Sequence, residues 1–182
     1  MSQGPRDILD FWFSERARSK WWSKDEAFDR EVEERLGGLH GEAASGRLDA
    51  WIAAPEGALA VTLLLDQVPR NVFRGTPRAF ATDPQARVVT RAALAAGHDR
   101  ALPSDAHRLF LYLPLEHSEE LADQEDACRL TAALSEGRWY DFAVLHRDII
   151  ARFGRFPHRN AILGRESSAE ELEFLGGPNS SF

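Results

Sequence analysis

A chain of 182 residues, 43% hydrophobic and 28% charged, has the size and make-up of one globular domain with its own core. Its net charge of −7 argues against an electrostatic hold on nucleic acid or acidic lipid, and its apolar runs fall far short of the ~20 residues that span a bilayer. A single cysteine, Cys128, excludes an intramolecular disulfide and fits a reducing compartment; with no leader pattern over Met1 to Phe13, the expectation is a soluble cytoplasmic protein.

Apolar residues recur at helical steps almost throughout. Phe28, Val32 and Leu36 predict a helix that starts near Ser23 as N-cap and stops at Gly37 and Gly38. Pro55 to Gln67, carrying Leu59, Leu63 and Leu64, predicts a buried helix, after which Pro69 is expected to open a separate turn with Arg70, Asn71 and Arg74. Asp83 is placed to cap a helix with Pro84 in its first position, running through Val88, Val89 and Leu94 to Gly97. Ser104 to Tyr112 predicts another, and Ser118 to Leu134 a further one with a capping box expected at Ser118. Trp139, Phe142, Ala143, His146, Ile149, Ile150 and Phe153 line one face of the next. Pro157 looks like the first position of a short helix, and Ser168 to Leu175 predicts the last, closed by Gly176, Gly177 and Pro178. No stretch alternates like a strand. Eight or more helices joined by short Gly/Pro turns imply an all-α stack of antiparallel helices, with residues 1–182 forming one domain.

Several chemistries are excluded by the absence of their spacing. Neither Lys20 nor Lys24, the only lysines among 22 basic residues, lies in a phosphate-cradling glycine loop, and there is no dinucleotide fingerprint or serine-nucleophile elbow. No histidine has a second one four residues away, so helical metal pairs are missing, and the expectation is no metal and no cofactor. The five tryptophans and eleven phenylalanines are read as core, and Cys128, among Leu121, Leu130 and Leu134, as a small hydrophobe.

What stands out is a local reversal of charge. Between His146 and Arg165 lie Arg147, Arg152, Arg155, Arg159 and Arg165 with His146 and His158, against Asp148 alone. Guanidinium forks match carboxylate and phosphate oxygens in two-point contacts. The candidate ligand-binding set is therefore Arg155, His158, Arg159, Asn160 and Arg165, joined by Arg70, Asn71 and Arg74, where a similar Pro–Arg–Asn string occurs. His146 sits on the apolar stripe of its helix, and Glu116 with His117 lies at an expected inter-helix turn, suited to proton transfer. The structural alternative is that these arginines pair with acids bordering the core, for which Asp66, Glu116 and Asp148 are available.

Four strings resemble an uncharacterised bacterial family known as domain of unknown function 924. The first three are Leu9-Asp10-Phe11-Trp12-Phe13, Leu64-Leu65-Asp66-Gln67-Val68-Pro69-Arg70-Asn71, and Leu113-Pro114-Leu115-Glu116-His117-Ser118-Glu119. The fourth and most distinctive is His146-Arg147-Asp148-Ile149-Ile150, running on through Arg152 and Pro157-His158-Arg159-Asn160 to Leu163-Gly164-Arg165. The resemblance implies a tetratricopeptide-like superhelix of stacked helices and brings no catalytic residues with it. Three functions follow as expectations. The first is a binding module for a protein, a peptide or a small anionic ligand, since stacked helix pairs make concave surfaces. The second is a small enzyme acting on a phosphorylated or carboxylated metabolite, and the third a structural subunit of a homo-oligomer.

Overall fold

The computed structural model describes residues 3–134, 138–178 and 180. Among them are nine α-helices and no strand: α1 (Pro5–Trp12), α2 (Glu15–Arg18), α3 (Glu26–Ala44), α4 (Pro55–Val72), α5 (Asp83–Ala95), α6 (Asp105–Glu116), α7 (Leu121–Thr131), α8 (Trp139–Phe153) and α9 (Ala169–Leu175). Short 3-10 turns at Asp49–Ala53, Pro77–Phe80, His98–Ala101 and Pro157–Arg159 connect them. The all-α expectation holds. Among the described residues no helix is long and apolar enough to cross a membrane.

The axis of the fold is α4. Every residue from Gly57 to Pro69 is buried, because α1, α3, α5 and α6 and the turn at Asp49–Ala53 all pack on it. A helix covered on all sides has no polar face to spare, which explains the apolar run Ala58–Leu65, interrupted only by Thr62, whose hydroxyl donates to the Ala58 carbonyl. Gly57 is required where the turn crosses: a β-carbon there would lie 2.1 Å from the Trp51 carbonyl oxygen.

Two helices run further than their sequence punctuation implies. α3 starts at Asp25, not Ser23, with the Asp25 carboxylate accepting from the Ala27 and Phe28 amides. It passes through Gly37 and Gly38 to Ala44. Each mid-helix glycine costs about 1 kcal/mol relative to alanine, and the burial of Leu36, Leu39 and Ala43 against the core outweighs that. Pro69 does not open a new turn but lies inside α4. Proline has no N–H for the Leu65 carbonyl one turn back, and the Thr82 hydroxyl takes over, donating to Leu65 O at 2.5 Å. The flanking carbonyls gain side-chain donors as well, His40 Nδ1 to Leu64 O at 2.8 Å and Arg70 Nη1 to Asp66 O at 2.7 Å. Replacing Thr82 with valine should strand a buried carbonyl and lower the unfolding free energy by about 1–3 kcal/mol, read from urea titrations.

Downstream, α6 also continues past its expected end at Tyr112, through Pro114 to Glu116, because Leu113 and Leu115 are still buried. α7 is shorter than expected. Ser118 forms no capping box: its hydroxyl donates to Asp123 Oδ2 at 2.6 Å and accepts from the Glu120 amide at 3.1 Å. A capping box forms instead at Ser168 with Glu171 on α9, where none was expected, and α8 has the predicted span, stopped by Gly154 at φ +69°. Not every aromatic is core. Trp12 is buried, whereas Trp22 is 63% and Phe142 45% exposed.

Candidate functional site

A buried polar cluster forms where α4, α6, α8 and the Pro157–Arg159 turn meet. Asp66 is the one acid in the buried stretch of α4 and is fully shielded from solvent. Its carboxylate accepts from His117 Nδ1 at 2.8 and 3.1 Å and from Gln67 Nε2 at 2.7 Å, with Arg70 Nη1 at 3.2 Å. Burial alone would push this carboxyl up; Arg70 and His117 overcome it and hold it well below the usual range. A carboxylate in front of Nδ1 fixes the proton there, so His117 turns Nε2 outward as its basic nitrogen. That nitrogen has no hydrogen-bond partner among the described residues, and the side chain is 16% exposed.

Glu116 and His117 are neighbours in sequence that face different partners. Glu116 points at His146, with Oε1 3.2 Å from Nδ1, while His146 Nδ1 also donates to the Phe142 carbonyl at 2.8 Å. The distance is that of an ion pair, yet both groups are neutral. Burial, with Asp66 nearby, pushes Glu116 up to about 8, and burial pulls His146 down to about 3. The ring therefore donates from Nδ1 to the Phe142 carbonyl, with an uncharged acid beside it.

Arg159 is the unusual member. It is buried and lies between the rings of Phe80 and Phe156, at 4.7 and 4.5 Å from their centroids. Its nearest carboxylate oxygen, Asp83 Oδ2, is 3.5 Å from Nη1. That oxygen is already taken, because Arg70 grips Asp83 with both nitrogens at 2.8 and 2.9 Å. Arg159 Nε is buried with no acceptor among the described residues. Burial and the neighbouring Arg70 pull its ordinarily very high value down to about 10, the mark of a guanidinium short of negative charge. His158, beside Arg159 and lowered by burial to about 4, is neutral in this surrounding.

Of the residues singled out in the sequence, the fold brings Arg70, Glu116, His117, His146, His158 and Arg159 together. The others are held elsewhere. Asn71 and Arg74 both turn to Asp29 of α3, at 2.7 Å and at 2.8 and 2.9 Å. Arg155 is committed to Glu171 in a two-point contact and to the Glu166 carbonyl. Arg165 grips Glu119, which also accepts from the Phe156 amide, so this pair braces the loop that carries Arg159. Asn160 Nδ2 donates to Ser167. Asp83, Phe80, Phe156 and Gln67 join the site without having been singled out. Asp66 was readable as a partner for arginine, since an acid inside an apolar helix needs one. Cys128 is half-buried with its thiol pushed up by burial, unsuited to nucleophilic work. Among the described residues no group of three His, Cys, Asp or Glu side chains is placed to hold a metal. A surface groove of about 780 Å³ between α1 and α3, lined by Asp7, Asp10, Phe11, Glu31 and Arg35 among others, includes none of the cluster.

An all-helical chain with these four strings belongs to the family described as bacterial protein of unknown function (DUF924), which matches residues 8–179. It is similar to the solved structure of a protein of unknown function from Agrobacterium tumefaciens, at 47% identity over 94% of this chain and 96% of that one, with a TM-score of 0.89. No curated protein matches the chain.

Proposed function

We propose that the protein binds a small oxyanion, a carboxylate or a phosphate group, between Arg159 and His117. The observation that carries this is Arg159 itself. A buried guanidinium whose only carboxylate contact among the described residues is a shared oxygen at 3.5 Å, with a donor left over there, is costly for the fold. An incoming oxyanion supplies the missing acceptor. Flanking aromatic faces hold the guanidinium plane in register and leave its edge for in-plane contacts. A second reading, a small enzyme on such a ligand, is favoured by the Asp66–His117 pair, whose geometry orients a ring for proton transfer. The broader expectation of a tetratricopeptide-like superhelix docking a peptide draws support from the helical stack.

The test is a thermal-shift series with inorganic phosphate and small carboxylates. A ligand that binds the folded state stabilises it by about 2.7 kcal/mol at a hundredfold excess over its dissociation constant. Wild type should shift. Arg159→Leu and Arg159→Lys should not, since lysine keeps the charge and loses the fork. Arg152→Ala, which removes an exposed partner of Glu170, should shift like wild type. No shift with any anion, or an unchanged shift in both Arg159 variants, overturns the proposal.

A further inference from the structure

Building on the oxyanion reading, we infer that anion binding here is coupled to the uptake of one proton at His117 Nε2, so that the site takes its ligand as an anion plus a proton. Four observations support this. The Asp66 carboxylate fixes the ring proton on Nδ1, at 2.8 Å. Nε2 then carries a lone pair, which repels an oxyanion; a proton on Nε2 turns it into a donor. Asp66 is completely buried and cannot move away, so it remains as the counter-charge for the imidazolium. Finally, Nε2 has no competing protein partner among the described residues.

The groups facing His117 from each packed element bear on the sign. From α4, Asp66 favours the protonated ring and Arg70 opposes it; from α5, Asp83 favours it. From α6, Glu116 is uncharged over the neutral range, and its partner on α8, His146, 6.4 Å from His117 between ring centres, is also neutral. His158 from the 3-10 turn is neutral as well, and Arg159 beside it is the charge the anion comes to. With no ligand, burial and Arg70 keep the ring neutral. A bound anion adds negative charge on the open side of the ring and reverses that balance. In the step itself, one N–H bond forms at Nε2, the proton comes from solvent or from an acidic O–H of the ligand, and the electron pair of any O–H broken stays on oxygen.

Inorganic sulfate is the probe, because its charge is constant across the neutral range. Its dissociation constant would be measured by calorimetry from about pH 6 to about pH 8, alongside nitrogen-15 shifts of the His117 ring. One coupled proton weakens binding by about tenfold per pH unit between the free and bound values of the ring. The expected result is that weakening in wild type, with Nε2 moving from the unprotonated to the protonated shift on saturation. His117→Gln should bind sulfate with no pH slope. Wild-type sulfate binding that is flat with pH, an Nε2 shift that does not move on saturation, or an unaltered slope in His117→Gln overturns the coupling while leaving the anion site standing. Failure of wild type to bind sulfate at every pH, or undiminished binding by Arg159→Leu, overturns the underlying reading and the coupling together.

Discussion

Asp66→Ala should lower the unfolding free energy by about 3–5 kcal/mol, whereas Asp148→Ala should change it by less than about 0.5 kcal/mol. Both residues pair with an arginine, Arg147 to Asp148 at 2.6 Å and Arg70 to Asp66 at 3.2 Å, so distance alone ranks them the wrong way. Burial decides. The Asp148 side chain is 60% exposed and its pair is screened by water. The Asp66 side chain is 1% exposed and serves His117, Gln67 and Arg70 at once. Its removal leaves a buried ring N–H and a buried amide without acceptors, and a guanidinium with half its counter-charge. Asp66→Asn keeps the volume and an acceptor oxygen, so it should cost less than alanine while releasing the proton on His117 from Nδ1. Urea titrations of the variants measure the first effect and ring-nitrogen spectra the second. Equal losses for Asp66→Ala and Asp148→Ala would show that the buried cluster does not hold the helices together.

How much of this was legible in the sequence depends on which physical signal each feature leaves there. The helices leave a strong one, since period and apolar identity are local: α8 and α9 have the spans read from the chain. Their ends are weaker wherever punctuation competes with burial. Gly37 and Gly38 read as a stop and Pro69 as the opening of a new turn, and both expectations fail, because tertiary packing and side-chain donors such as Thr82 compensate for the backbone. Charge density was legible, but pairing was not. Arg155, Arg159 and Arg165 look alike in sequence; the fold gives the first to Glu171, the third to Glu119, and leaves the second on a shared oxygen of Asp83. That difference is set by residues far away along the chain, which no local pattern records. Phe80 and Asp83 are the clearest case, an ordinary aromatic and an ordinary helix start until α4 and the Pro157–Arg159 turn are laid beside them. Glu116 and His117, by contrast, left a usable hint, since adjacent residues on a helix point apart and therefore need separate partners.

Glu116→Gln should make the protein progressively more stable than wild type as pH rises from about 4.5 to about 8, with a constant difference above that. The carboxyl ordinarily titrates at 4.5, and burial with Asp66 nearby raises it to about 8 in the folded state. Between those values the native chain holds a proton that the unfolded chain has released, so stability is fully present below 4.5 and falls as pH rises to 8. The buried histidines have the opposite sign. His146 and His158, at about 3 and about 4 when folded against 6.5 ordinarily, are neutral in the native state where the unfolded chain is protonated, so their contribution rises with pH up to about 6.5. The two effects oppose each other below about pH 6.5, and wild type should show a stability maximum near there. Above it Glu116 acts against no counter-current. One unit of pH is worth about 1.4 kcal/mol per proton, so wild type should lose roughly 2 kcal/mol between pH 6.5 and pH 8 that the glutamine variant keeps. Glutamine preserves the oxygen facing His146 Nδ1, so the comparison isolates charge from packing. Unfolding free energies from urea titrations across this window give the answer. Parallel curves for the two proteins would mean that Glu116 ionises in the fold as it does in the open chain, and that the acid–histidine pair at the base of the site is charged.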